Sequence, residues 1–293
     1  MSALEVLTRE PDVLGEGPVY VPEDDALLRV DITGRAVRRL GLGDLAQRSW
    51  PVPREIGSLA LRAGRADLVV ALEDGLCSLD LATGELERLV DVTGGDERIA
   101  LNDGRCDEAG SFWVGSYERS ETEPLGWLVR IDPDLSVTRV ADGIIVGNGI
   151  DWSPDGARMY VTDSGARTIT AFEMEGGLPV RPRIFARDEG CMPDGLVVDA
   201  EGCVWSAKWD GWRIVRYTPA GEIDRVIELP VQRPTACTFG GAGFETLFIT
   251  SATLDLDLAA RAAQPLAGLV LALDVGGRGR PSWRFGHAAD RRR

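Results

Sequence analysis

Glu16, Asn102, Asn148, Asp194 and Thr235 each carry a side-chain oxygen, and each stands eight residues ahead of a turn position in a repeated hairpin phrase. If the fold gathers them at one point, two carboxylates and several neutral oxygens share a half-dry space. Like charges so placed repel and lose hydration unless a cation lies between them. Donors that are all oxygen, with no His or Cys, suit Ca2+ first, Mg2+ or Mn2+ next, and Zn2+ or Fe2+ less well. The alternative is a polar, water-filled channel mouth with no ion.

The phrase that sets the register is Asn148-Gly149-Ile150-Asp151-Trp152-Ser153-Pro154-Asp155-Gly156, followed by Ala157 to Asp163. Apolar and polar residues alternate on both sides of an Asp-Gly dipeptide, so it reads as two strands around a tight turn. The pattern recurs 46 residues later at Asp194 and 46 residues earlier at Asn102, each with its turn glycine eight residues on. The same interval links Glu16 to Asp24, Ile56 to Gly64 and Thr235 to Gly243. Six hairpins led by residues 16, 56, 102, 148, 194 and 235 recur every 40 to 46 residues, the period of four-stranded propeller blades. The expected fold is therefore all-β, a six-bladed β-propeller of antiparallel blades, in which the first strand of each blade lines a central channel. The six leading residues then form a ring on the axis, and Ile56 alone offers it no oxygen.

The second strand of each hairpin returns to the ring's face, ending at Asp31, Glu73 or Asp74, Ser116, Asp163, Lys208 and Ser251. These ends are expected to wall the pocket. Lys208, the only lysine of the chain, would pair there with a substrate carboxylate or hydroxyl. Asp103 directly follows a ring residue and would hold a water or brace Asn102. Asp155 and Glu201 read as turn residues.

Propellers need closure, since an open repeat exposes a sheet edge. Residues 3 to 9 are expected to pair with the last blade, whose outer strands are placed at 268–275 and 281–286. One domain is expected over residues 1–293, with the core at 12–286 and a tail at 287–293. Leu256 to Ala263 reads as a short helical insert.

The formal charge of −15 argues against nucleic acid or an anionic membrane as partner and leaves a small molecule. The N-terminus has no basic region or long apolar run, and no stretch approaches membrane-span length. Five cysteines without paired spacing suit reduced thiols in the cytoplasm. The only histidine, His287, falls in the tail, which leaves no imidazole for a Ser-His-Asp or Cys-His centre.

Leu14-Gly15-Glu16-Gly17-Pro18, Leu101-Asn102-Asp103-Gly104, Gly147-Asn148-Gly149-Ile150-Asp151-Trp152, Met192-Pro193-Asp194-Gly195 and Cys237-Thr238-Phe239-Gly240-Gly241 occur in an order that resembles the regucalcin/gluconolactonase family across nearly the whole chain. The resemblance implies a six-bladed propeller holding one divalent metal, many of whose members hydrolyse sugar lactones. It places the metal ligands on Glu16, Asn148 and Asp194, and a substrate contact on Asn102. The Arg that sugar lactonases carry two residues before that Asn is Ala100 here, and a pocket Glu of some members falls near Ser120.

The implied reaction is opening of a lactone or related cyclic ester by metal-activated water, with Asp194 as general base and Asn102, Asp103, Ser120 and Lys208 toward the substrate. A phosphotriester hydrolase or tailoring enzyme acting on a non-sugar substrate is the first rival. A non-catalytic calcium-binding propeller is the second.

Overall fold

The computed structural model describes residues 4–286. Six four-stranded antiparallel sheets make up the fold, each beginning with an inner strand at the expected place. The inner strands are Gly15–Val21, Ile56–Leu61, Ile99–Cys106, Gly147–Trp152, Met192–Val198 and Pro234–Gly240. Inner and second strands are apolar on both faces because neighbouring blades cover them. Leu68–Leu72, for example, is buried at every residue, whereas the outer strand Leu86–Asp91 has only half-buried and exposed residues. The layers between blades are filled by Leu, Val and Ile with a few large rings, such as Trp205 edge-on to Phe239 with centroids 5.6 Å apart. The turn glycines 64, 110, 156, 202 and 243 adopt positive φ, and in the first blade Asp25 takes that role at φ 44°.

The N-terminal strand closes the ring as expected. Glu5 pairs with Ala272 and Val6 with Leu271, and Leu7 N donates to Val270 O at 2.9 Å. Deleting residues 1–8 should leave strand Leu271–Asp274 with an open edge. The expected outcome is a melting temperature lower by roughly 5–10 °C, with concentration-dependent association in sedimentation analysis.

Residues 281–286 do not form an outer strand of the last blade. That place is taken by Glu5–Val6, and the segment crosses instead to blades two and three. Along the way the Arg278 carbonyl accepts from Ala200 N, and the Arg280 guanidinium donates to the Trp152 carbonyl. Phe285 is buried among residues of blades two and three, with its N–H on Leu61 O at 2.8 Å. The strap therefore covers the hairpin-turn end of the channel, opposite the ring. The insert holds a single helix, Leu258–Ala263, whose N-cap Asp257 accepts from Ala260 N. No helix among the described residues is long and apolar enough to cross a membrane. The expected tail, including His287, lies outside the described residues.

Candidate functional site

Each of the six inner strands breaks register where its ring residue sits: Glu16/Val19, Ile56/Ser58, Leu101/Gly104, Gly147/Ile150, Pro193/Leu196 and Pro234/Cys237. Such a break frees a residue from the ladder and re-aims its side chain. Here the same break, made six times, positions the ring at the mouth of the channel.

Inner strands must also approach one another closely on the axis. At Gly149 an added Cβ would lie 2.4 Å from Leu196 N and 2.8 Å from Asp194 O. Glycine after Asn148 is thus what lets the next blade bring Asp194 in. In blade three that position is Asp103, a carboxylate where four other blades carry glycine, at 17, 57, 149 and 195.

Glu16, Asn148 and Asp194 are all buried and line one cavity of about 310 Å3 together with Asn102. The amide nitrogens are occupied: Asn148 Nδ2 donates to Ser164 Oγ at 3.1 Å, and Asn102 Nδ2 to Gly147 O at 3.0 Å. Ser164 Oγ in turn donates to Pro193 O, so both amide oxygens are left to act as acceptors. Asp194 Oδ1 is buried and has no hydrogen-bond partner.

Burial pushes the Glu16 carboxyl well above the usual range, and the charges of Asp194 and Asp103 push it further. Asp194 is raised in the same way, by burial first and by Asp103 next. Burial brings Asp103 itself to about 6, against the opposing charge of Arg105. Two mutually repelling carboxyls, one with an orphaned oxygen, and two amide oxygens free to accept are a donor set that suits a hard divalent cation.

Other expected participants fall elsewhere. Thr235 spends its hydroxyl on Gly15 O and Thr250 Oγ1. Lys208 is fully buried behind the cavity wall, its Nζ 2.7 Å from Asp188 and 3.0 Å from Ser206 Oγ, with Tyr217 beneath it. A solvent-facing ammonium would need no such cradle, so Lys208 serves the core and does not reach a substrate. Ser120 is exposed and bonds Glu118 and Thr122. It does not line the cavity; Glu121 does, turned there by a positive φ of 57°. Asp103 lies below the ring, against the narrow space next to the C-terminal strap.

Four of the second-strand ends miss the pocket by one residue, while Glu73, Asp74 and Ser251 lie off it together with their successors. Asp31 and Asp163 accept the N–H groups of Val13 and Leu14, and of Ile145 and Val146, and so clamp the approach to Glu16 and Asn148. The lining residues are their successors Ile32 and Ser164, and likewise Tyr117 after Ser116 and Trp209 after Lys208. Strand side chains alternate faces, so a slip of one exchanges wall for core. Counting outward from the bulge in each blade finds these residues.

One other acid and thiol group, Asp199, Glu201 and Cys203, has its donor atoms within 4.8 Å of one another. Arg216 already neutralises it, with Nη2 2.9 Å from Asp199 and an ion pair to Glu201. The Asp199 oxygens also accept from Cys203 N and Trp205 Nε1.

A closed ring of six four-stranded blades with an oxygen-lined cleft at one mouth defines a class of propeller, and the comparisons give the family. The chain belongs to the SMP-30/gluconolactonase/LRE-like family, whose description matches residues 14–253. A Pseudomonas putida protein named 6-deoxy-6-sulfogluconolactonase is 36% identical over 277 residues, covering 93% of this chain and 94% of that one. An Azospirillum brasilense L-arabinolactonase is 36% identical over 281 residues, with coverage of 94% and 92%. Among solved structures, a calcium-binding regucalcin from Agrobacterium tumefaciens superposes with a TM-score of 0.91 at 29% identity, over 97% of this chain and 98% of that one.

Proposed function

We propose that this chain is a metal-dependent hydrolase that opens a lactone ring. The observation that carries the reading is the buried set Glu16, Asn148 and Asp194 on one cavity, with Asp194 Oδ1 unpartnered. Those three residues would hold a divalent cation, Ca2+ first. When bound, the cation supplies Lewis-acid polarisation of the ester carbonyl and a water that ionises near neutral pH. Relatives named lactonases at 36% identity over nearly the whole chain support the reaction class, and the calcium-binding relative supports the ion.

The chain's own residues divide the remaining work. Asn102, its amide fixed by the Gly147 carbonyl, points its oxygen at the cavity and orients a substrate hydroxyl or water. Asp194, held by the Gly195 N–H, accepts the proton that the attacking water releases. Glu121 stands at the rim and limits which substrates enter. The strap over the far end of the channel leaves the ring's face as the route in.

Chelator-stripped protein, assayed by pH-stat on a panel of sugar and simple lactones, is expected to lose turnover and regain it with added Ca2+ or Mn2+. Undiminished turnover after stripping would overturn the metal requirement. A stripped and restored protein that binds Ca2+ but opens no lactone would leave a calcium-binding propeller as the better description.

A further inference from the structure

We infer that the cavity is shaped for an amphipathic lactone, one that carries an alkyl or aryl arm and no negative charge, in preference to a fully hydroxylated sugar lactone. The inference rests on the lactonase reading above and adds the substrate's shape to it.

The two sides of the cavity differ in chemistry. Blades five, six and one, contiguous around the ring, present Met192, Trp209, Leu254, Leu14 and Ile32. Blades three and four present Asn102, Tyr117, Glu121 and Ser164, with Val146 the one aliphatic residue among them. A hydroxylated ring surrounded on all sides by hydroxyls would leave several of them against the apolar arc without partners, each a desolvated polar group left unpaired. An alkyl arm lying there loses nothing and removes apolar surface from water.

The placement of charge agrees. Of the residues two positions before each ring residue, Leu14, Val146, Met192 and Arg233 line the cavity, Ala100 lies behind its wall, and Arg54 in blade two lines a separate surface pocket. Ala100 is buried opposite Tyr117 and brings no donor to the polar side. Arg233 is the one cation among the lining residues, and it sits across the ring in blade six.

Its guanidinium is largely engaged. Nε donates to Asp210 at 2.7 Å, Nη1 donates to the Leu254 carbonyl, and the plane lies 4.7 Å over the Trp209 ring. Arg233 therefore extends the flat apolar wall more than it offers an anion receptor. Glu121 and Asp255 share the mouth, close enough that Asp255 adds to the upward push of burial on Glu121. A carboxylated or sulfonated arm would meet both.

The test is a graded series on calcium-loaded protein: δ-valerolactone, δ-hexalactone, δ-octalactone and δ-decalactone, with glucono-δ-lactone and a carboxylated δ-lactone as polar arms. The expected result is kcat/KM rising by up to about fourfold per added methylene, with glucono-δ-lactone and the carboxylated lactone below the octalactone. Leu254→Asn and Met192→Asn should each flatten the rise.

The matching lactams, which do not open, give a second readout by calorimetry: tighter binding and a more negative heat-capacity change with arm length. Glucono-δ-lactone turned over as well as or better than every alkyl lactone would overturn the inference and leave the lactonase reading standing. If no lactone is opened, that reading fails. The lactam series then decides alone, and affinity independent of arm length would overturn the inference.

Discussion

Asp194→Asn is expected to abolish lactone opening, by on the order of 10^3-fold or more, while raising the melting temperature of the metal-free protein. The two effects have one cause. Asp194 and Glu16 are both buried, and each is destabilised by burial and by neighbouring carboxylates. The amide keeps the shape, removes one charge and can donate to Glu16, so the metal-free fold recovers a few degrees, about 2–4 °C per kcal/mol at this size.

What the variant loses is the cation. Calcium at a hundred times its dissociation constant stabilises the wild type by about 2.7 kcal/mol, and that increment should vanish from the Asp194→Asn melting curve. Loss of turnover without loss of the calcium-induced shift would place Asp194 in proton transfer alone.

The same repulsion fixes a pH dependence. In the metal-free protein both carboxyls titrate above their ordinary values of 4.5 and 3.8. Folded-state values above the unfolded ones mean that their favourable contribution is full below those ordinary values and is lost as pH rises through the folded ones. Metal-free protein should therefore gain stability relative to the calcium-loaded form as pH falls from neutral toward 4. Melting curves taken with and without chelator across that range check it, and curves that stay parallel would contradict it.

The second large effect is expected at Asp12→Ala, in stability. Arg29 is fully buried, with its Nε 2.5 Å from Asp12 Oδ2, and Arg38 reaches the other oxygen at 2.8 Å. The pair stands at the seam where the ring closes, for Asp12 N donates to Gly268 O and Thr253 Oγ1 to Asp12 O. Burial raises the Asp12 carboxyl despite its cationic partners, so the pair is costly to desolvate and costlier to break.

Removing one partner of a buried pair costs about 3–5 kcal/mol, on the order of 10 °C here. Replacing both, as in Asp12→Leu with Arg29→Met, should recover most of that loss, since Arg38 can still reach Asp31. Thermal melts of the two variants beside the parent protein decide it. A double variant no better than Asp12→Ala would mean that the loss comes from the seam's packing and not from a stranded charge.

The blade order, the ring and the closure by the N-terminal strand were legible because they follow from period and alternation, which depend on local backbone geometry. The glycine after Asn148 and the carboxylate at Asp103 were likewise visible as residue types at a fixed register. Three features were not. Side-chain parity past the bulge cannot be counted until the bulge is known, and this displaced Asp31, Ser116, Asp163 and Lys208 from the wall in favour of their successors. Glu121 enters the cavity through a backbone conformation that glutamate seldom adopts, whereas the family resemblance put the pocket position at its neighbour Ser120. The strap at 281–286 looked like a strand because its apolar Trp283 and Phe285 alternate, yet its hydrogen bonds go to blades two and three. Lys208 drew attention by rarity, but its ammonium is spent on a buried pairing with Asp188.

One cation bound by Glu16, Asn148 and Asp194 is the centre of the proposed chemistry, and anomalous diffraction from crystals grown with calcium tests it most directly. A single strong peak within about 2.3–2.6 Å of an oxygen from each of the three residues is the predicted result. A map with no peak there, or with its peak at Asp199 and Glu201 instead, would contradict it.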